Sequence, residues 1–87
     1  MEKTLKILNE TGLHARPAGI FVKTATQFKS DINIIFNESS FNAKSIMNIL
    51  SLGLTKDAEI TISASGPDEE EAIAALVSLI ESKFGEE

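Results

Sequence analysis

The sequence predicts an α+β fold: an open-faced β-sandwich in which a four-stranded antiparallel sheet is covered on one face by three helices, in the order β-α-β-β-α-β-α. Three observations carry this reading. Four short stretches alternate apolar and polar residues, the period of a half-buried strand. Three others repeat apolar residues every three or four positions, the period of an amphipathic helix. Glycine, proline and small polar residues fall between them, and no repeat, linker or low-complexity tract is left over. Strands that keep one polar face belong to antiparallel sheets with a single covered face, because parallel strands are buried on both.

Leu5 and Ile7 alternate with Lys6, which reads as a first strand running to about Leu8. Asn9 to Gly12 is a polar break. Pro17 suits the first turn of a helix, where its missing N–H is no loss. Ala18, Phe21, Val22, Ala25 and Phe28 then recur at helical spacing. That helix is expected to start after Arg16 and to run to about Phe28. Gly19 near its start costs about 0.5–1 kcal/mol relative to alanine. Ile32, Ile34 and Phe36 alternate with Asn33 and Ile35 as a second strand. Asn37-Glu38-Ser39-Ser40 is turn chemistry, so Phe41 to Ala43 returns as a short hairpin partner. Ser45 precedes Ile46, Met47, Ile49, Leu50 and Leu52, a short helix stopped by Gly53. Thr55 to Ala58 turns into a fourth strand, where Ile60, Ile62 and Ala64 alternate with Thr61, Ser63 and Ser65. Gly66-Pro67 ends it. Asp68 and Glu71 have capping-box spacing, and the acids of DEEE at 68–71 suit a positive helix N-terminus. Ile73, Leu76, Val77, Ile80 and Phe84 form the last apolar stripe, closed by Gly85.

The 87 residues are expected to form one domain, with no room for a second core. Thirteen acids against eight bases give a net charge of −5, which argues against binding nucleic acid, since that needs a concentrated basic surface. The absence of cysteine removes disulfides and thiolate chemistry. The first residues lack the apolar run of a signal peptide, and no stretch approaches a membrane span. A cytoplasmic monomer with no membrane insertion, whose partners are proteins or small molecules, is the expectation.

His14 is the only histidine, and it stands just ahead of the first helix. The unpaired N–H groups and dipole of a helix start favour negative charge. They disfavour a proton on the imidazole, which leaves the ring free to act as a nucleophile. If the ring accepted a phosphoryl group, its oxygens would face those amides, and Arg16 could add a charge-assisted contact. On these residues alone, His14 as a plain capping or surface residue stays open. What is missing narrows the field. One histidine, no cysteine and no carboxylate pair beside it make a general acid–base enzyme hard to build. No G-x-x-x-x-G-K-[ST] holds a nucleotide, and one imidazole with scattered carboxylates is a weak metal site, so no metal and no cofactor are expected. DEEE reads as a solvated helix start. A single nucleophile that receives a group and hands it on fits better than autonomous catalysis.

GLHARPA at residues 12–18 resembles the active-site motif of the HPr family, histidine-containing phosphocarriers of the bacterial phosphoenolpyruvate-dependent sugar phosphotransferase system. KSIMNILSLG at 44–53 resembles the family's second motif, in the form with a regulatory serine. AEITISASG at 58–66, followed by an acidic helix start, also matches. The resemblance covers essentially the whole chain, in order. It implies the same sandwich fold and a carrier rather than an enzyme. His14 would take a phosphoryl group from phosphorylated enzyme I and pass it to sugar-specific IIA components. Arg16 matches the family's phosphate-stabilising arginine. Ser45 matches the serine modified by an HPr kinase/phosphorylase in many Gram-positive bacteria, where the modified form is a corepressor that works with a catabolite-control transcription regulator.

Read from its own chemistry, Ser45 is an N-cap whose hydroxyl accepts from a first-turn amide, worth about 1 kcal/mol, and a phosphate there meets favourable amides. Ile46, Met47, Ile49 and Leu50 cover too much of a short helix for all to be buried. Ile46, Met47 and Leu50, with Ala15 and Gly19 on the first helix, are the expected docking residues, and Met47 adapts to several partners. Asn48 stands where the motif often has glycine, and Gly19 lies on the family's docking face; either could alter partner choice. Rival classes fit less well. A regulatory paralogue working through Ser45 would lack the active histidine. An acyl carrier would be all-helical with an Asp-Ser-Leu attachment site, and a heavy-metal chaperone would carry Cys-x-x-Cys. A purely structural interaction module remains for a phosphorylation assay to exclude.

Overall fold

In the computed structural model, which describes residues 1–85, β1 (Glu2–Lys6), α1 (Ala15–Ala25), β2 (Asp31–Phe36), β3 (Ser39–Asn42), α2 (Ile46–Ser51), β4 (Glu59–Ser65) and α3 (Glu69–Glu81) follow one another. A 3₁₀ turn at Lys83–Gly85 closes the described chain. The strands lie in the order β1-β4-β2-β3, every neighbouring pair antiparallel. This is the open-faced sandwich that the sequence predicts.

Alternation explains its two faces. Ile32 and Ile34 of β2 and Ile60, Ile62 and Ala64 of β4 point to the helices and are buried. They meet Ala18, Phe21 and Ala25 of α1, Ile49 of α2, and Ala72, Leu76 and Ile80 of α3 in one core. Burying each large side chain contributes roughly 1.5–3 kcal/mol. The opposite face is polar: Thr4 pairs directly with Thr61, their Oγ1 atoms 2.8 Å apart, and Asn33 pairs with Ser63.

The boundaries depart from expectation in five places, each for a local reason. β1 starts at Glu2 and stops at Lys6 rather than near Leu8, because the ladder ends at Lys6–Glu59. Beyond it Ile7 donates to the Ala58 carbonyl at 2.9 Å and accepts from the Asp57 amide at 2.8 Å, bonds into a turn instead of a strand. α1 starts at Ala15, two residues before Pro17, and ends at Ala25; the amides of Gln27 and Phe28 switch to acceptors three residues back, Thr24 and Ala25. The hairpin turn is two residues, not four. Asn37 and Glu38 both take positive φ, 52° and 67°, the backbone of a type I′ turn, so β3 runs over Ser39–Asn42 with Phe36 opposite Ser39. The α3 stripe ends at Glu81, and Phe84 reaches the core through a left-handed backbone, φ 56°.

The fifth correction concerns Asp68. It occupies the N-cap position of α3 but makes no side-chain cap. Its carboxylate instead accepts from the Ser30 hydroxyl at 2.5 Å and from the amides of Lys29 and Ser30 at 2.9 and 3.0 Å. Those bonds, the Ser30 hydroxyl foremost, hold the Asp68 carboxyl below the usual range. Capping-box spacing thus marks a clamp between the start of α3 and the turn after α1, and Glu69 takes over the local bond by accepting from the Gly66 amide at 3.2 Å.

Candidate functional site

The segment that delivers His14 is held to the turn before β4. Gly12 adopts φ +65°, and a Cβ there would lie 2.3 Å from the Leu54 carbonyl oxygen and 2.8 Å from the Thr55 Cα. Only glycine lets these two backbones approach so closely. Leu13 donates its amide to the same Leu54 carbonyl at 3.0 Å and buries its side chain. Lys56 Nζ meets Glu10 Oε2 at 2.8 Å, a bond that lowers the Glu10 pKa and raises that of Lys56.

His14 itself is exposed, at the N-cap position of α1, with extended backbone (φ −70°, ψ −177°) and no side-chain cap bond. The imidazole is therefore not consumed in closing the helix. The first intrahelical bond runs from the Ala18 amide to the His14 carbonyl at 2.8 Å, and Pro17 has no N–H. The amides that precede this bond, those of Ala15 and Arg16, belong to the two residues next to the imidazole. Arg16 is exposed one residue into the helix.

Leu13, His14 and Ala15 form one wall of a shallow cleft of about 280 Å³; Leu50, Gly53, Leu54 and Thr55 form the other. The C-terminal part of α2, at Leu50, thus lines the same cleft as the histidine. Its exposed face carries Ile46, Met47 and Leu50, 37%, 74% and 40% accessible, while Ile49 alone of this helix is buried. Partial exposure of the α2 apolar residues was the sequence expectation, and the molecule has it. Ser45 caps α2, its Oγ accepting from the Asn48 amide at 3.3 Å. Counting 1.5 Å per helical residue, Ser45 lies about 7–8 Å along the axis from Leu50, on the rim of the same surface.

A family model described as "PTS HPr component phosphorylation site" matches residues 1–82. The chain belongs to the HPr family. HPr-C-His from Thermoanaerobacter tengcongensis is 57% identical, with a TM-score of 0.97, covering 100% of this chain and 98% of that one. Phosphocarrier protein HPr from Bacillus anthracis is 41% identical, with a TM-score of 0.88 over 92% and 95% of the two chains. Crh, the catabolite repression protein of Bacillus subtilis described as a domain-swapped dimer, is 38% identical at a TM-score of 0.76, over 91% of each chain. Every site residue named from the HPr motifs, from His14 to Leu50, falls inside the matched span.

Gly19, one turn into α1, has open space where a Cβ would project, with nothing among the described residues lying within 4 Å. Asn48 is exposed at the middle of α2. Of the facing wall, sequence reasoning missed Leu54 and Thr55, which lie outside the quoted motifs; only the close approach of Gly12 to both reveals that they belong to the cleft. Among the described residues no three His, Asp or Glu side chains gather as metal ligands, and no helix is long and apolar enough to cross a membrane.

Proposed function

We propose that the chain is the phosphoryl carrier of a phosphotransferase relay. An imidazole nitrogen of His14 attacks the phosphorus carried by phosphorylated enzyme I. The new N–P bond forms as the bond to the enzyme I group breaks, and the reverse exchange delivers the phosphoryl group to a sugar-specific IIA component. The single observation that carries the reading is the exposed, uncapped His14 imidazole at the α1 N-terminus, beside the apolar face of α2, in a chain of the HPr family. The helix start and the Arg16 guanidinium favour the dianion that the imidazole acquires. The chain supplies nucleophile and anion site but no acid–base pair, so it turns nothing over alone.

Ile46, Met47 and Leu50, with Ala15 and Gly19, form the docking face that successive partners share. Ser45 on its rim is the regulatory site for an HPr kinase/phosphorylase, and the modified form serves a catabolite-control regulator; the likeness to Crh supports this branch. The carrier works in the cytoplasm as a monomer, with β1 paired to its own β4. The test charges the chain with enzyme I and phosphoenolpyruvate, removes both, and adds a IIA component. Stoichiometric transfer to IIA is expected; label that stays on the chain refutes the relay.

A further inference from the structure

We propose that Asn9 is a positioning residue for His14, an inference that rests on reading His14 as the phosphoryl acceptor. Asn9 is fully buried, and only Ser30 shares that condition among the buried polar residues described. A buried amide N–H is retained where its hydrogen bonds are made, and in Asn9 these bonds belong to the nitrogen of the carboxamide. Here Nδ2 donates to the Gly12 carbonyl at 2.7 Å and to Thr11 Oγ1 at 3.2 Å, and the Asn9 carbonyl accepts from the Gly12 amide at 3.1 Å. One residue therefore holds both ends of Gly12.

The peptide plane that follows is pinned from two sides. Its carbonyl, on Gly12, is taken by Asn9; its N–H, on Leu13, donates to Leu54 at 3.0 Å. The next residue is His14. Gly12 is the residue of this loop with the widest backbone freedom, required by the contact with Leu54 and Thr55, and it stands two residues before the nucleophile. Asn9 restrains that freedom. Without its donor the 12–13 plane can rotate, and the imidazole and the amides of Ala15 and Arg16 lose their shared register. Misplacement on the order of 1 Å is enough to slow a positioned reaction strongly. Because Asn9 is buried, it offers a partner nothing to bind, so the defect belongs to the limiting rate and not to docking.

The experiment compares wild type, Asn9→Ala and a remote control, Thr4→Val, which breaks the Thr4–Thr61 pair on the open face. Enzyme I-dependent labelling of His14, spontaneous hydrolysis of the isolated phospho-form and urea melting are measured on each. For Asn9→Ala the limiting rate should fall about tenfold with KM within about twofold, and the hydrolysis rate of the phospho-form should change at least about twofold. Thr4→Val should lose stability and keep both rates. A folded Asn9→Ala with wild-type kinetics and hydrolysis overturns the positioning role alone, whereas a wild type that takes no label overturns the phosphocarrier reading beneath it. If Asn9→Ala does not fold, the wild type decides: the Asn9 side-chain amide protons should be protected from exchange and shift when His14 is charged. Rapid exchange with no shift refutes the role.

Discussion

Gly12 and Gly19 flank His14 and differ in what a methyl group would meet. At Gly12 it strikes the Leu54 carbonyl, and the φ of +65° is itself unfavourable for any other L residue. Gly12→Ala should therefore destabilise the fold by at least about 2 kcal/mol and slow labelling of His14, as read from urea melts and enzyme I assays in parallel. At Gly19 the methyl meets nothing among the described residues. Alanine is the better helix former by about 0.5–1 kcal/mol, so Gly19→Ala should raise stability by about that amount. The same methyl projects into the space assigned to partners, and slower labelling by enzyme I despite the firmer fold is the expected signature of docking there. A Gly19→Ala chain that melts lower would mean that α1 needs the glycine for its own packing.

The turn after α1 and the start of α3 behave as a coupled pair of elements through Asp68. Its folded carboxyl is held below the ordinary value, near 3.9 for an unfolded chain, by the Ser30 hydroxyl and the Lys29 and Ser30 amides. A depressed carboxyl stabilises the fold above the unfolded pKa and loses that contribution as pH falls through the folded one, because the unfolded chain then binds more protons. The acid limb of the stability curve below about pH 4 should flatten in Asp68→Asn, which is also expected to be less stable than wild type at neutral pH. Parallel wild-type and variant curves across that limb would show that the clamp contributes nothing. In the β2–β3 hairpin, Glu38 holds φ 67°, where glycine is at ease. Glu38→Gly should stabilise the fold by about 0.5–1 kcal/mol, measured by thermal melting.

Across the whole molecule, what the sequence made legible was whatever depends on period and local chemistry. The alternation of Ile32, Ile34, Ile60 and Ile62 and the stripe from Ile73 to Ile80 define layers, and Ser45 shows its capping role by its residue type. Unreadable features depend on contacts distant along the chain. Asp68 has the spacing of a cap, but its partners lie thirty-eight and thirty-nine residues away. Half of the His14 cleft comes from residues 50–55, and nothing in a one-dimensional pattern says that Gly12 packs on Leu54. The surface so assembled is expected to couple its two proposed modification sites. A phosphate on Ser45 suits the α2 N-terminus locally, yet sets a hydrated dianion beside Ile46 and Met47, where desolvation and repulsion of a partner's acids cost roughly 2–5 kcal/mol of binding. Stoichiometrically phosphorylated Ser45 should slow His14 labelling without lowering the melting temperature; unchanged labelling refutes the coupling. The central claim, that His14 is the acceptor, is tested most directly by the intact mass of the chain after incubation with enzyme I and phosphoenolpyruvate. The expected result is one phosphoryl group at neutral pH, lost in acid, absent from His14→Ala and retained by Ser45→Ala. A label that survives acid, or that His14→Ala still accepts, would contradict it.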